Sequence, residues 1–384
     1  MVFSAFKRQT RIIMGSSYSA LSTNDDTEML ALAVKDQPQK NGKMPRSFTM
    51  FDKLPNCRTP VHVDTINCLG AVRPGMVLSG SSDKTIVLNN VDTGECVVRW
   101  RGHTDSVTKV AYKQSQSKHY VLSGSRDSTV KLWMFNRSDP LEDYTSHKLT
   151  VTAVCNIEDN MFVTGGRDTN VMLFDINRKQ PVVVRSINRN LVTHITKVPS
   201  TSMIAQTSED RIMKLYDSRD LAPIFEFPIK NHIQHHCSAS NDGNYVLASS
   251  GGTNGDGCEI TLYDMRQQKE MKTFRGHEES VKCAVFLSQT ITCKRIILSV
   301  SDDKTIRLWS MEDNKCLWRE PSPTHSELTS CIGFTDGNIV VAGSNASLCH
   351  LRMNGKAGVP FLQCLSVQSK NTLTSSISSS NFMK

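Results

Sequence analysis

The sequence contains no apolar run that approaches the eighteen residues of a membrane-spanning helix, and it contains no C-x-x-C pair. Its twelve cysteines are scattered between Cys57 and Cys364, so neither a zinc ribbon nor a compact disulfide framework is predicted. Residues 1–14 are short and basic and lack the apolar core of a secretory signal. We therefore expect a cytoplasmic protein with reduced thiols.

An excess of basic charge is missing from the middle of the chain, although the net charge is +8. Residues 1–60 hold nine Lys/Arg and five Asp/Glu, which gives +4, and residues 354–384 hold three Lys and no acid, which gives +3. The 293 residues between them carry 33 positive and 32 negative charges. A nucleic-acid-binding domain would concentrate basic charge on itself, so nucleic acid is not an expected partner.

A phrase with a central aspartate returns along the chain, as in LSGSRDSTVKLWM (122–134) and LSVSDDKTIRLWS (298–310). The aspartate or its substitute recurs every 41 to 47 residues, at Asp83, Asp127, Asp168, Asp210, Gly257, Asp303 and Asn345. Each copy continues with alternating residues that are typical of a strand with two different faces. Self-similarity at this period predicts an all-β fold, a seven-bladed β-propeller with four short strands per blade.

A Gly-His pair precedes the aspartate in two copies, at 102–103 and 276–277, and a tryptophan follows it. These features resemble WD repeats, and the resemblance covers roughly residues 47–353. In that family a histidine, a Ser or Thr, the aspartate and the tryptophan form a buried hydrogen-bonded set, which is stable when every member has a partner. The resemblance implies two full sets: His103, Ser123, Asp127 and Trp133, and His277, Ser299, Asp303 and Trp309.

Other copies depart from the pattern, with Asn89, Phe174, Tyr216 and Tyr263 in place of tryptophan and Gly257 in place of the aspartate. We expect those blades to be less tightly fixed. The predicted organisation is a flexible N-terminal segment at 1–46, a propeller at 47–353 and a Ser-rich, flexible tail at 354–384. The strand that closes the ring is predicted at 47–55, with 359–368 as the alternative, because a closed ring leaves no open edge.

Three patterns that could indicate chemistry are better explained structurally. The His-Asp pairs near serines repeat at fixed positions around a ring, which favours a structural role over a hydrolase. HIQHHC (232–237) has no known metal-ligand spacing, and its adjacent histidines would point to opposite faces of a strand. GGTNGDG (251–257) lacks the Lys-Ser/Thr of a P-loop. We therefore predict no enzyme activity, no metal site and no cofactor.

WD-repeat domains commonly bind proteins on the face of the ring where the residue before each turn aspartate lies. By this resemblance the candidate protein-binding rim consists of Arg126, Arg167, Glu209, Asp256 and Asp302, with Ser82 and Ser344 completing the set. Two adjacent basic blades followed by three acidic blades predict a bipolar face. Such a face would orient a partner of complementary charge and speed its association.

Read from Met14, the sequence MGSSYSAL matches the pattern for N-myristoylation, with Gly15 as the acceptor. Read from Met1, Gly15 is internal and the match has no meaning. A single acyl chain gives only reversible membrane binding, and the segment after Gly15 has neither a polybasic patch nor a nearby cysteine. The two interpretations are left open: transient contact with a membrane, or the start of a Ser-rich linker.

Stretches such as QTSEDRIMKLYDSRDL (206–221) and GDGCEITLYDMRQ (255–267) resemble a ciliary group of WD-repeat proteins. That resemblance implies a monomeric, non-enzymatic adaptor of the cilium or ciliary base, which would act in intraflagellar transport and BBSome traffic. Its implied partners are small-GTPase-activating proteins of the ELMO-domain and retinitis-pigmentosa types. A ubiquitin-ligase substrate receptor is the alternative, although 20–46 shows no convincing helical adaptor motif.

Overall fold

The structure, a computed structural model, describes residues 55–115, 118–158, 160–186, 190–288, 294–356 and 359–370. The predicted segments and sites before residue 55, including Met14 and Gly15, lie outside the described residues, as does the tail after residue 370. Across the described ranges the secondary structure consists of β-strands without a helix, which confirms the predicted all-β class. The described residues therefore contain no helix that is long and apolar enough to span a membrane.

The strands are short, and four or five of them make up each sheet. The first half of the chain contains β1 Asn56–Arg58, β2 Ile66–Arg73, β3 Met76–Ser81, β4 Thr85–Asn90, β5 Glu95–Arg101, β6 Val107–Ser115, β7 Lys118–Ser125, β8 Val130–Met134, β9 Glu142–Tyr144, β10 Val151–Asn156, β11 Met161–Gly166, β12 Val171–Asp175, β13 Val183–Arg185, β14 Val192–Lys197, β15 Met203–Ser208, β16 Lys214–Asp217 and β17 Pro223–Glu226. The second half contains β18 Gln234–Ala239, β19 Tyr245–Ser250, β20 Glu259–Asp264, β21 Lys269–Arg275, β22 Val281–Phe286, β23 Ile296–Ser301, β24 Thr305–Ser310, β25 Lys315–Pro321, β26 Leu328–Gly333, β27 Asn338–Gly343, β28 Leu348–Lys356 and β29 Val359–Gln368.

Seven sheets form the predicted seven blades. Blades one to six are four-stranded antiparallel meanders: β2–β5, β6–β9, β10–β13, β14–β17, β18–β21 and β22–β25. Blade seven has the order β1-β29-β28-β27-β26. The first strand of each four-stranded blade packs against the first strand of the next, and β26 packs against β2, so these inner strands close a ring.

The two middle strands of a blade are buried on both faces because a neighbouring blade covers each side. In β3 the five residues Val77–Ser81 are buried, whereas the outer strand β13 is mostly exposed. Hydrophobic clusters lie between blades and not within one; one cluster joins Leu78 and Leu88 of blade one to Val110 and Trp133 of blade two. Burial of Val, Leu and Trp against the next blade is therefore the main stabilising term of the ring.

Inner strands are also joined by a repeated side-chain hydrogen bond. The hydroxyls of Thr108, Thr152 and Thr193 each donate to a backbone carbonyl at the start of the next inner strand. Thr329 closes the ring in the same way by donating to the carbonyl of Ile66 at 2.6 Å. These bonds fix the inner strands at one level around the axis.

The ring closes differently from the favoured prediction. The fourth strand of blade seven is β29, so the alternative at 359–368 holds and the blade extends past the predicted boundary at residue 353. A hairpin from β28 supplies this strand locally, and the short β1 then adds to its outer edge in parallel. Of the favoured segment 47–55, residues 47–54 lie outside the described residues.

Candidate interaction face

Blade two holds a complete chain of side-chain hydrogen bonds. His103 Nδ1 lies 2.8 Å from Asp127 Oδ2, and His103 Nε2 lies 2.7 Å from Ser123 Oγ. Trp133 Nε1 donates to the same serine hydroxyl at 2.8 Å. The four residues that the repeat implied are therefore in contact, and every polar member of this buried chain has a partner.

Blade six repeats the same chain with nearly the same geometry. The matching distances are 2.7, 2.8 and 2.8 Å, from His277 to Asp303, from His277 to Ser299 and from Trp309 to Ser299. Burial lowers the pKa of His277, although its hydrogen bond to the aspartate opposes that shift. Blades two and six, which are four repeats apart, thus hold their turns with the same set of hydrogen-bonded side chains.

The aspartate of each chain fixes a tight turn. Asp127 accepts hydrogen bonds from the backbone N–H groups of Thr104 and Thr129, at 3.0 and 2.9 Å. Burial alone would raise the pKa of Asp127, but hydrogen bonds from His103 and Thr129 outweigh it and hold the pKa below its usual value. The turn and the loop before the inner strand are therefore held together, and Arg126 extends from a fixed backbone.

Blades one and three keep the histidine but not the tryptophan. In blade one His62 lies 2.9 Å from Asp83 and 2.8 Å from Ser79, and Asn89 Nδ2 donates to the Ser79 hydroxyl at 2.8 Å. The amide of Asn89 thus replaces the indole as donor. Blade three has the buried Phe174 at the tryptophan position. Phenylalanine has no hydrogen-bond donor, so the set of hydrogen-bonded side chains in blade three lacks its fourth member.

Blade four replaces the histidine–aspartate pair with a buried ion pair. Lys214 Nζ lies 2.9 Å from Asp210 Oδ2, and their side chains are 3% and 5% exposed. The hydroxyl of Tyr216 donates to Gln206 Oε1 at 3.0 Å, where other blades have tryptophan and serine. The turn of blade four therefore lies in the same place as the turns of the other blades, although the aspartate is the only one of the four usual side chains that it keeps.

The residues before the turns form a ring on one end of the propeller, which we call the top face. In each blade the backbone N–H of this residue donates to the carbonyl of the residue before the inner strand. The seven donors are Ser82, Arg126, Arg167, Glu209, Gly251, Asp302 and Ser344. Four of the five predicted rim residues therefore occupy equivalent places, and Asp256 does not.

Gly251 holds the equivalent position in blade five because His235 takes the space of a side chain there. A Cβ atom on Gly251 would lie 2.2 Å from His235 Nε2. Residues 252–257 form an extra loop, and Asp256 extends from it with its side chain 90% exposed. The loop packs on blade six, where the Gly255 N–H donates to the carbonyl of Glu278 at 2.8 Å. The prediction of Asp256 as a rim equivalent was wrong, although it does lie on this face.

A glycine is required at the end of this loop. Gly257 has φ +73°, and a Cβ atom there would lie 2.3 Å from the ring of His232. The loop faces the acidic side chains of blade six, with Thr253 bridging to Glu279.

Basic side chains cluster on blades two and three of the top face. Arg126, Lys148 and Arg167 are all exposed, and we call them the basic sector. Within the described residues neither arginine has an acidic partner within 4.0 Å. Their charge is therefore free to attract an acidic group.

Acidic side chains cluster on blades five and six, in an acidic sector of Asp256, Glu278, Glu279 and Asp302. Asp302 lies 2.9 Å from Lys282, and Glu278 lies 3.5 Å from Arg319, so part of this charge is paired. Asp256 has only a longer contact, 3.5 Å from His232 Nε2. The basic and acidic sectors thus lie on different blades of the top face, and the acidic sector is partly neutralised.

An apolar arc between the two sectors was missed by the sequence reasoning. It consists of Leu149, Leu191 and Ile233, which lie in the loops before the inner strands of blades three, four and five. Leu149 is 52% exposed, Ile233 is 37% exposed and Leu191 is half-buried. Alignment of the repeats on their inner strands, and not on their aspartates, would have shown these apolar residues at polar positions.

The histidines of HIQHHC lie apart, as expected from the strand. His235 stands beside Gly251, whereas the ring of His236 contacts the ring of His194 in a tilted arrangement, with centroids 4.0 Å apart and planes at 35°. Among the described residues there is no group of three His, Cys, Asp or Glu side chains arranged to hold a metal ion. What the top face can do chemically is to present charge and apolar surface on a fixed backbone.

The family model for the WD domain, G-beta repeat, matches residues 94–134, 138–175 and 268–310. These ranges end on β8, β12 and β24, the third strands of blades two, three and six. All three of these blades keep a histidine–aspartate contact. Blade one keeps the same contact without being matched, so this contact alone does not determine which repeats match.

Curated relatives are WD-repeat and nuclear distribution proteins. WD repeat-containing protein 37 of Homo sapiens is 23% identical over 63% of this chain and 47% of its own length. The chain thus spans about half the length of that relative. Nuclear distribution protein PAC1 of Ajellomyces capsulatus is 31% identical over 72% of this chain and 64% of its own length.

A solved structure, the WD40 β-propeller domain of Doa1, has a similar fold. Its TM-score is 0.63 at 23% identity, over 74% of this chain and 92% of that one. At this identity the likeness shows the fold alone. The repeat matches, the shared fold and the seven sheets together establish that this chain is a seven-bladed WD-repeat β-propeller.

Proposed function

We propose that the chain is a non-enzymatic adaptor that binds a partner protein on its top face. The observation that carries this proposal is the bipolar charge on turns that buried hydrogen bonds hold in place. Surfaces held rigidly before binding lose little conformational entropy when a partner docks. Charge of opposite sign on the two sides of the face would set the orientation of that partner.

The more specific proposal is that the adaptor works in cilia, as WD repeat-containing protein 31 does. Residues 206–221 and 255–267 support it, because those stretches resemble that protein where the generic repeat fails. On this proposal the partners are GTPase-activating proteins of the ELMO-domain and retinitis-pigmentosa types. The chain would then act at the ciliary base in intraflagellar transport and BBSome traffic.

Charge reversal tests the role of the top face. The full chain with Arg126→Glu and Arg167→Glu should capture less of an ELMO-domain protein and of a retinitis-pigmentosa-type protein than the unchanged chain. Thermal unfolding should not change, because both side chains are exposed. The matched control is Arg137→Glu with Arg178→Glu, which makes the same charge change at exposed turns of blades two and three, after β8 and β12, at the opposite end of the ring. Equal capture by both variants would contradict the proposal.

Membrane contact through a myristoyl group on Gly15 is a separate proposal, and it rests on the sequence pattern alone. The intact mass of the protein from a cell with N-myristoyltransferase tests it. We expect a species that starts at Gly15 and carries a fourteen-carbon acyl group, and Gly15→Ala should release it from membranes. A mass that starts at Met1, or an unmodified Gly15, would remove the lipid from the account.

A further inference from the structure

The apolar arc is unusual when it is compared with the same positions in other blades. The residues that precede the seven inner strands are Thr65, Ser106, Thr150, Leu191, Ile233, Ser280 and Glu327. Only blades four and five have an apolar residue there. One position earlier the residues are Asp64, Asp105, Leu149, Asn190, His232, Glu279 and Ser326, and only Leu149 is apolar. Single exposed apolar residues are ordinary, and what distinguishes these three is that they lie on consecutive blades of one face.

The backbone beneath the arc is fixed. Thr152 of blade three donates to the carbonyl of Val192, and Thr193 of blade four donates to the carbonyl of Gln234 at 2.6 Å. These two acceptors directly follow Leu191 and Ile233 in the chain. The three neighbouring loops are therefore tied to one another, and the apolar side chains are held ready for a partner.

Charge flanks the arc on both sides, with opposite sign. Arg126 and Arg167 lie at the end nearer blade two, and Asp256 and Asp302 lie at the end nearer blade six. The exposed arginines lack described acidic partners, and Asp256 is 90% exposed. The basic sector, the apolar arc and the acidic sector thus follow one another around the top face, with one exposed charge of the other sign at each end, Asp105 on blade two and Lys304 on blade six.

We propose that the apolar arc anchors a partner segment whose own order is acidic, apolar, basic. This inference rests on the proposed function and adds the chemistry of the segment that the face recognises. Its acidic side chains pair with the basic sector, its apolar side chains cover Leu149, Leu191 and Ile233, and its basic side chains reach the acidic sector. A few residues near the middle of an interface typically carry most of the binding free energy.

Selection from a random library tests the order of the segment. The probe is a library of twelve-residue peptides displayed on phage, each about 40 Å long when extended, selected against the immobilised full chain. We expect enriched peptides that place acidic and basic residues on opposite sides of one or more large apolar residues. Synthetic peptides with the same composition in scrambled order should bind at least tenfold more weakly.

A pair of variants tests the anchor itself. Leu149→Ser with Ile233→Ser should weaken the selected peptide about tenfold or more, a change of about 1.4 kcal/mol. The matched control is Val63→Ser, which removes a 70% exposed apolar residue from blade one of the same face and should leave affinity unchanged. Unchanged thermal unfolding of both variants would exclude misfolding as the cause.

Three outcomes would overturn the inference. Enrichment of purely acidic peptides that depend on Arg126 and Arg167 but not on Ile233 would remove the anchor and leave the adaptor function standing. Enrichment without a common order would remove the recognised segment. An absence of enriched peptides would also overturn it, and the charge-reversal experiment would then decide separately whether the face binds proteins.

Discussion

Blades two and six differ from blades four and five in how they hold the same turn. In blades two and six a histidine, a serine, an aspartate and a tryptophan form one buried chain with distances of 2.7–2.8 Å. Blade four uses a lysine–aspartate pair, and blade five has an added loop that ends at Gly257. The backbone N–H before the turn nevertheless makes the same hydrogen bond in all four blades.

The comparison teaches that the repeat builds the ring, while its failures change the surface. Loss of the usual set in blade five allows His235 to occupy the space over Gly251 and allows residues 252–257 to reach blade six. Blades four and five also carry Leu191 and Ile233, where other blades have polar residues. Several features that distinguish this propeller thus lie in two blades that depart from the repeat.

The largest expected effect is in blade four, where the turn depends on charge. Asp210→Asn removes the buried carboxylate partner of the 3% exposed Lys214 ammonium and leaves it only the more distant, half-exposed Glu226 at 3.8 Å. Breaking a buried ion pair in this way typically costs about 3–5 kcal/mol of unfolding free energy. Chemical denaturation of the full chain measures it, and the double variant Asp210→Asn with Lys214→Met should regain most of the loss. Equal stability of the single and double variants would contradict a buried ion pair.

A smaller loss of stability is expected when the residue at the tryptophan position of a blade loses its hydrogen-bond donor. Trp309→Phe removes the indole N–H that Ser299 accepts and leaves a small cavity, at a cost of about 2 kcal/mol. In blade four Tyr216→Phe removes only the hydroxyl that Gln206 accepts, at a cost of about 1 kcal/mol. Denaturation midpoints of the two variants check the order. A larger loss in blade four than in blade six would contradict it.

Acid should destabilise the fold, with a contribution from blade five. Burial and the nearby Lys282 ammonium lower the pKa of His235 from 6.5 to about 4. Between these values the unfolded chain binds a proton that the folded chain does not, so the free energy of unfolding falls as the pH falls through that window. The lowered pKa values of Asp127 and Asp303 add a further loss at lower pH, as the folded carboxylates become protonated.

Denaturation at pH 7 and pH 5 measures this dependence, and we expect a loss of roughly 1–2 kcal/mol. His235→Gln should flatten part of the slope, because glutamine does not titrate. A slope that is unchanged in this variant, or stability that rises towards pH 5, would contradict the assignment to His235.

The smallest effect on stability is expected at the basic sector. Arg126→Glu with Arg167→Glu changes two exposed side chains and should alter the unfolding free energy by less than about 0.5 kcal/mol. The same denaturation experiment checks it. A loss of several kcal/mol would show that these arginines support the ring and do not serve only the surface.

Repeat spacing was enough to predict the blades, because each blade is specified locally by its turn aspartate and alternating strands. The contacts of His103 with Asp127 and of His277 with Asp303 were implied by the resemblance to WD repeats. Other features depend on side-chain contacts between strands of one blade or between blades, which the spacing of the repeats does not report. The place of Asp256 was wrong because His235, on another strand, determines which residue is equivalent in blade five.

The closing strand and the apolar arc were hidden for a related reason. β29 pairs with β28 as a hairpin at the outer edge of blade seven. Two segments of the sequence, 47–55 and 359–368, fit that edge, so the sequence alone did not decide between them. Leu149, Leu191 and Ile233 are distant in sequence and become one surface only when the ring closes. An alignment of the repeats on their turn aspartates places these three residues in loops and does not show that they lie on one face.

Crosslinking mass spectrometry of the full chain with a captured partner would test the central claim most directly, namely that the top face is the interaction surface. Exposed lysines mark both ends of the ring: Lys84, Lys148 and Lys304 on the top face, and Lys118, Lys269 and Lys315 at the opposite end. The account predicts lysine crosslinks to the partner from the top set, strongest at Lys148 beside the apolar arc. Crosslinks confined to Lys118, Lys269 and Lys315 would contradict it.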